Sequence, residues 1–157
     1  VAVGSSGKII RSEDNGTSFD NVTSVDSTHL YGVTFGNNTF VAVGSSGKII
    51  RSTNYGSSWE NVTAVNSNYL YGVTFGNNTF MAVGQSGTIV KSTDNGSSWS
   101  SSSSGTSNHL YGITFGNNTF MAVGQSGSIV KSTDNGANWD NSTSGTSNHL
   151  NGVAFGD

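Results

Sequence analysis

Short apolar runs alternate with polar, glycine-bearing breaks along the whole chain, and no stretch shows the three-and-four spacing of an amphipathic helix. "LYGVTFG" at residues 70–76 is followed by "NNT", "FMAVG" at 80–84 by "QSG", and "TIVKS" at 88–92 by "TDNGS". A short run around Ser98 to Ser100 closes the set. Breaks of two to five residues with Gly or Asn suit antiparallel hairpins, because left-handed backbone costs Gly least and Asn little. The pattern predicts a four-stranded antiparallel meander, with strands A, B, C and D in that order. Val, Ile, Ala and Phe fall on both faces of these runs, as expected for a sheet covered by neighbours on both sides.

The meander recurs every 40 residues, in units 1–40, 41–80, 81–120 and 121–157. Units one and two differ at ten positions, and so do residues 81–117 and 121–157. The units also pair off: the first two carry GSSGK and the last two GQSG followed by Thr or Ser, while Arg11 and Arg51 give way to Lys91 and Lys131. Such near-identity reads as a recently amplified or engineered array. One sheet of this kind cannot bury both faces alone, and radial repetition of four-stranded sheets makes a β-propeller. The expected fold is all-β: a propeller with four blades per chain, residues 1–157 forming a single half-ring.

The sequence opens within a strand B at Val1, without a charged-then-apolar leader, and reads as mature or excised. It closes on a strand A, "LNGVAFG". Strands B, C and D of the first unit thus lack an A, and the final A lacks its B. Pairing these edges completes a blade and removes exposed strand edges. Closure within one chain would give a four-bladed disc; closure between two gives an eight-bladed ring. A four-bladed disc crowds its inner strands, which carry the Tyr, Val and Phe of "YGVTFG", so the expected partner is a second copy, a homodimer formed by inter-chain strand pairing.

One octapeptide marks every unit: Ser12 to Phe19 (SEDNGTSF), Ser52 to Trp59 (STNYGSSW), Ser92 to Trp99 (STDNGSSW) and Ser132 to Trp139 (STDNGANW). Its first, third, fifth and eighth positions are Ser12, Asp14, Gly16 and Phe19; Ser52, Asn54, Gly56 and Trp59; Ser92, Asp94, Gly96 and Trp99; and Ser132, Asp134, Gly136 and Trp139. A carboxylate at the third position accepts N–H bonds from its own turn, Gly at the fifth takes a left-handed conformation, and the aromatic ring fills space between sheets. The pattern S-x-D-x-G-x-x-W resembles the Asp-box, or BNR repeat, of sialidases, sortilin-type receptors and photosystem assembly factors, all propeller proteins. The resemblance covers all four units, with Asn54 and Phe19 as departures. It implies a propeller, usually of six or more blades, and gives the octapeptides a structural role as fasteners.

Only 32% of residues are hydrophobic and 10% charged, with 22 Gly and a formal net charge of -3. Helix-favouring residues are scarce, consistent with an all-β chain. Six basic residues against nine acidic ones cannot build a face that neutralises several phosphates, so nucleic acid is not an expected partner. Nor is a membrane: no run approaches the roughly 18 apolar residues of a spanning helix. The absence of Cys removes disulfides and thiolate metal sites. Sequons at Asn21, Asn37, Asn61 and Asn141 follow from a composition rich in Asn, Ser and Thr.

Catalytic chemistry finds little material. The resemblance to sialidases implies an arginine cluster, a Tyr-Glu nucleophile pair and an Asp acid. Only Arg11 and Arg51 are available, at equivalent blade positions, with Glu13 and Glu60 as the only Glu residues. Glycoside hydrolysis needs two convergent carboxylates, whereas Glu13, Asp14, Asp20, Glu60, Asp94, Asp134 and Asp140 lie in or beside the octapeptides. His29, His109 and His149 occupy one position of the repeat, where symmetry spreads them around the axis instead of converging them on zinc. "GSSGK" lacks the length and following helix of a phosphate loop. No catalytic residue, metal or cofactor is expected.

Surface recognition remains. The D-to-A and B-to-C connections share one face, which collects His29, Asn68, Tyr69, Asn108, His109, Asn148 and His149 with Lys8, Lys48, Gln85 and Gln125. Amide, imidazole and phenol groups suit sugar hydroxyls, and equivalent weak sites on one ring gain avidity; the same groups also serve simply to satisfy loops. The expected function is a non-enzymatic repetitive scaffold. A lectin-like propeller with one weak glycan site per blade is the rival, and an assembly adaptor of the kind implied by the photosystem factors is the third reading.

Overall fold

Each strand starts where a turn releases the backbone, and the turns are chemically specified. The computed structural model describes residues 1–156. The first sheet holds three strands, β1 (Ala2–Val3), β2 (Ile9–Arg11) and β3 (Asp20–Val22). The second has four, β4 (Leu30–Gly36), β5 (Thr39–Gly44), β6 (Ile49–Ser52) and β7 (Glu60–Val62). The third repeats it with β8 (Leu70–Gly76), β9 (Thr79–Gly84), β10 (Thr88–Ser92) and β11 (Ser100–Ser103). The fourth comprises β12 (Leu110–Gly116), β13 (Thr119–Gly124), β14 (Ile129–Ser132) and β15 (Asp140–Ser142). Every pairing is antiparallel between consecutive strands.

Asn37 and Asn38 both take left-handed backbone, with φ of 49° and 58°, and so do their counterparts Asn77, Asn78, Asn117 and Asn118. Two such residues in succession make the tight turn that matches strand twist. A single 3₁₀ turn, as at Gln85–Gly87, links the second and third strands, with Ser86 at φ 53°.

Strands A and C of the third sheet have the bounds read from the sequence, and strand B begins one residue earlier, at Thr79. The fourth strand is displaced. It runs Ser100–Ser103, not around 98–100, because the Asp94 carboxylate holds the Ser98 N–H at 2.9 Å and keeps that residue inside the turn.

The sheets stack with inner strands side by side, as blades of a propeller. Bare backbone makes the approach close: a Cβ on Gly32 would stand 3.3 Å from the Tyr71 carbonyl oxygen, and the Phe75 ring lies over Gly36. Three apolar cores follow, one at each joint. Ile9 meets Leu30, Ala42 and Ile50; Val41, Val43 and Ile49 meet Leu70 and Phe80; Met81, Val83 and Ile89 meet Leu110, Phe120 and Ala122. Each Val, Leu, Ile, Phe or Met side chain fully buried in this way contributes about 1.5–3 kcal/mol.

Residues 150–156 have no ladder partner, yet they continue the stack. Leu150 N–H donates to the Gly124 carbonyl at 2.9 Å, as Leu30 N–H does to Gly4 at 3.1 Å. Phe155 lies over Gly116 as Phe75 lies over Gly36. The segment thus occupies the place of a fifth inner strand, and β1 pairs on one side only, with β2. Within the single chain these two free edges do not pair.

Candidate functional site

The connection entering each inner strand meets the 3₁₀ turn of the preceding sheet, and this face gathers the residues singled out in the sequence. His29, His109 and His149 accept through Nδ1 the backbone N–H groups of Ser6, Ser86 and Ser126 at 2.9, 2.9 and 3.1 Å. Each imidazole therefore ties one sheet to the next. Within a sheet, Asn68 Nδ2 donates to Thr88 Oγ1 at 2.7 Å and Asn108 Nδ2 to Ser128 Oγ at 2.8 Å. Gln85 and Gln125 accept the N–H groups of Tyr69 and His109, both at 3.3 Å. Lys8 reaches Asn21 Oδ1 at 3.0 Å, and Lys48 pairs with the Asp26 carboxylate and with Asn61 Oδ1 at 2.9 Å. The Lys48 hydrogen bond, helped by Thr28, holds the Asp26 carboxyl at about 2. Asn148 donates its own backbone N–H to Thr146 Oγ1 at 3.1 Å.

Beside these loops runs an aromatic crescent in which Tyr31, Tyr71 and Tyr111 join residues singled out in the sequence. Tyr31, Tyr71 and Tyr111 stand at successive inner strands with ring centroids 5.9 and 5.7 Å apart, and Tyr69, His109 and His149 fill in at 6.1 to 6.4 Å. A β-bulge puts them there. Pairing jumps from Leu30 with Gly44 to Gly32 with Val43, so Tyr31 has no partner across the ladder and is released to the rim. Tyr31 and Tyr69 are 45% and 41% exposed. Burial, with neighbouring tyrosines adding to it, pushes the Tyr71 phenol up. The signal was available as a Tyr recurring every 40 residues in "LYG", replaced by Asn151 in the last copy.

The octapeptide hairpins lie at the opposite end. Asp94 Oδ1 accepts Ser92 Oγ–H at 2.8 Å and Ser98 N–H at 2.9 Å, while Oδ2 accepts Ser98 Oγ–H at 2.6 Å. Asp14 does the same with Ser12 and Ser18, and Asp134 uses Asn138 for Ser98. These bonds stabilise the ionised carboxylate and hold all three acids at about 2. Asn54 keeps the geometry without charge, accepting Ser58 N–H at 3.0 Å and donating to Ser58 Oγ at 2.8 Å. Ser12, Ser52, Ser92 and Ser132 accept the N–H of Gly16, Gly56, Gly96 and Gly136 at 2.8 to 2.9 Å.

The hairpins also reach across joints. Asn95 and Asn135 donate to Thr39 and Thr79 of the preceding sheet at 2.7 Å, Lys91 reaches the Gly136 carbonyl at 3.2 Å, and the Arg51 guanidinium meets Ser97 Oγ. Trp59 and Trp99 are partly buried and donate to Gly56 and Gly96 at 3.2 Å, whereas Phe19 is half-exposed. Trp139 is buried, but its indole N–H has no partner: the Gly136 carbonyl already accepts Ser102 Oγ–H at 2.7 Å as well as Lys91.

Carboxylates are thus dispersed along the hairpins, Arg11 pairs with Glu13 and Arg51 with Glu60, and among the described residues no three His, Asp or Glu side chains cluster. An open cavity of about 380 Å³ lies against the first sheet, lined by Val1, Arg11, Ser12, Glu13, Phe35, Phe40 and Tyr55.

No family model matches the chain, and no curated protein does. Solved structures do. YCF48 bound to D1 peptide is 18% identical with a TM-score of 0.74, over 96% of this chain and 52% of that one. YCF48 from Cyanidioschyzon merolae is 23% identical with a TM-score of 0.62, over 73% and 39%. The computationally designed Ika8 protein is 14% identical with a TM-score of 0.71, over 87% and 43%. The shared feature is the β-propeller fold, and this chain spans about half the length of those structures or less.

Proposed function

We propose that the protein is a non-enzymatic propeller scaffold whose four-sheet arc closes with a second copy into an eight-bladed ring. The observation that carries this reading is the pair of unsatisfied edges: β1 pairs only with β2, and residues 150–156 lie in the place of an inner strand without a ladder. An open strand edge is a template for another chain, and mutual capping removes both. The hairpins, in this reading, are Asp-box fasteners: their acids close turns, Asn95 and Asn135 bind the preceding sheet, and Arg51 and Lys91 of the preceding sheet reach back to the hairpins at Ser97 and Gly136. That use of the polar groups supports a structural role over hydrolysis. Light scattering tests the ring. A mass of twice 16.2 kDa is the expected result, and a stable species at 16.2 kDa overturns it.

A second reading, a lectin-like platform, is favoured by the half-exposed Tyr31 and Tyr69 on the aromatic crescent, since exposed rings offer stacking faces for sugars. A glycan array decides: binding that disappears in Tyr71→Ala supports it, and silence across the array removes it.

A further inference from the structure

Four glycines sit in open space where their counterparts in the other repeats are jammed. A Cβ on Gly44, Gly84 or Gly124 would run into the carbonyl of His29, Tyr69 or His109, but one on Gly4 meets nothing within 4 Å. A Cβ on Gly32, Gly72 or Gly112 would stand 3.1 to 3.3 Å from a neighbouring carbonyl oxygen, but one on Gly152 is free. Gly36, Gly76 and Gly116 lie under the rings of Phe75, Phe115 and Phe155, while Gly156 lies under none. Gly56, Gly96 and Gly136 press on Val1, Val41 and Met81 of the preceding sheet, while Gly16 presses on nothing.

Side chains on the same two flanks are themselves uncovered. Phe35, the counterpart of Phe75, is 46% exposed and lines the 380 Å³ cavity beside β1. Phe19 is 50% exposed, whereas the equivalent Trp139 is 9% exposed. Met121 is only partly buried, whereas its counterparts Val41 and Met81 are fully buried. The unfilled contacts on one flank of the arc are thus those missing from the other.

We propose that the unpaired edge of β1, with the cavity between Val1 and Phe35 at its end, is the seat for residues 150–156 of a second copy, a proposal that rests on the two-chain reading above. Transferring the observed register, Leu30 with Gly44, Gly32 with Val43 and Val33 with Ala42, pairs Leu150 of the second copy with Gly4, Gly152 with Val3 and Val153 with Ala2. Gly156 of the second copy then lies under Phe35. The hairpin at Gly16 docks on Met121 and Lys131 of the second copy, as the hairpin at Gly136 docks on Met81 and Lys91. Twofold symmetry builds the same contact at the other junction.

Gly156→Val is the discriminating variant, because its side chain has room in the single chain and collides with Phe35 only at the junction. Overpacking at two symmetry-related junctions should raise the dimer dissociation constant about a hundredfold or more, with the β-sheet circular dichroism unchanged. Wild-type dimer with an unaffected Gly156→Val overturns the seat while the ring stands; wild-type monomer overturns the ring itself. An Ala2→Cys/Val153→Cys double variant gives an independent reading in a chain with no other Cys. Oxidation to a covalent dimer supports the proposal, and a bridge closing within one chain gives the seat to that chain's own strand and overturns it.

Discussion

The Phe75 ring lies against Gly36 of the neighbouring sheet, where a side chain at position 36 would occupy the ring's own volume. Phe115 and Gly76 repeat the arrangement, as do Phe155 and Gly116. Gly to Ala in a strand ordinarily helps, because it restricts the unfolded chain. Here overpacking dominates. Gly76→Ala should lose about 1–3 kcal/mol in denaturant unfolding, while Gly156→Ala leaves the stability of the single chain unchanged.

Acid should loosen the hairpins. Asp14, Asp94 and Asp134 fall from the ordinary 3.8 to about 2 in the folded chain. Their contribution is complete above the unfolded value and is lost as pH drops through roughly 4 towards 2, where the folded carboxyls take up protons. Asn54 shows how to remove the dependence, since it makes the same turn contacts without titrating. The triple variant Asp14→Asn, Asp94→Asn, Asp134→Asn should flatten the stability curve between pH 4 and 2 in urea titrations. A curve as steep as the parent's would refute the assignment.

The three tryptophans should respond differently to loss of the indole N–H. Trp59→Phe and Trp99→Phe each remove a bond to a glycine carbonyl, at a cost of about 0.5–1.5 kcal/mol. Trp139→Phe removes a buried donor that has no partner, so it should be neutral or stabilising despite the smaller ring. Parallel chemical denaturation of the three variants measures this directly.

At the loop face, His109→Ala leaves the Ser86 N–H without its imidazole acceptor and should lower stability by about 0.5–1 kcal/mol, the low end because water reaches the group. His109→Tyr should be tolerated better, since Tyr69 stands at that position in the second unit. Thermal melts of both variants check this.

The 40-residue period, the Asn-Asn turns and the octapeptides were legible because each is local: a residue type imposes a backbone conformation within a few positions. β11 starts at Ser100 and not near Ser98 because the Asp94 carboxylate, four residues back in the same octapeptide, keeps the Ser98 N–H in the turn, and residue types alone do not mark where the turn contacts end and the ladder begins. Strand alternation does not mark Tyr31, Tyr71 and Tyr111 as rim residues, since a bulge sends them there. The bonds from Asn95 to Thr39 and from Asn135 to Thr79 span 56 residues, and nothing in the hairpin's own sequence says which sheet it will grip.

The joint between a phenyl ring and bare backbone acts like the taper of a stone in an arch. Each one adds the same small turn, and the circle is complete when those turns sum to a full revolution. Ring diameter is then a matter of accumulated curvature, to which the rings at positions 75, 115 and 155 contribute one joint each.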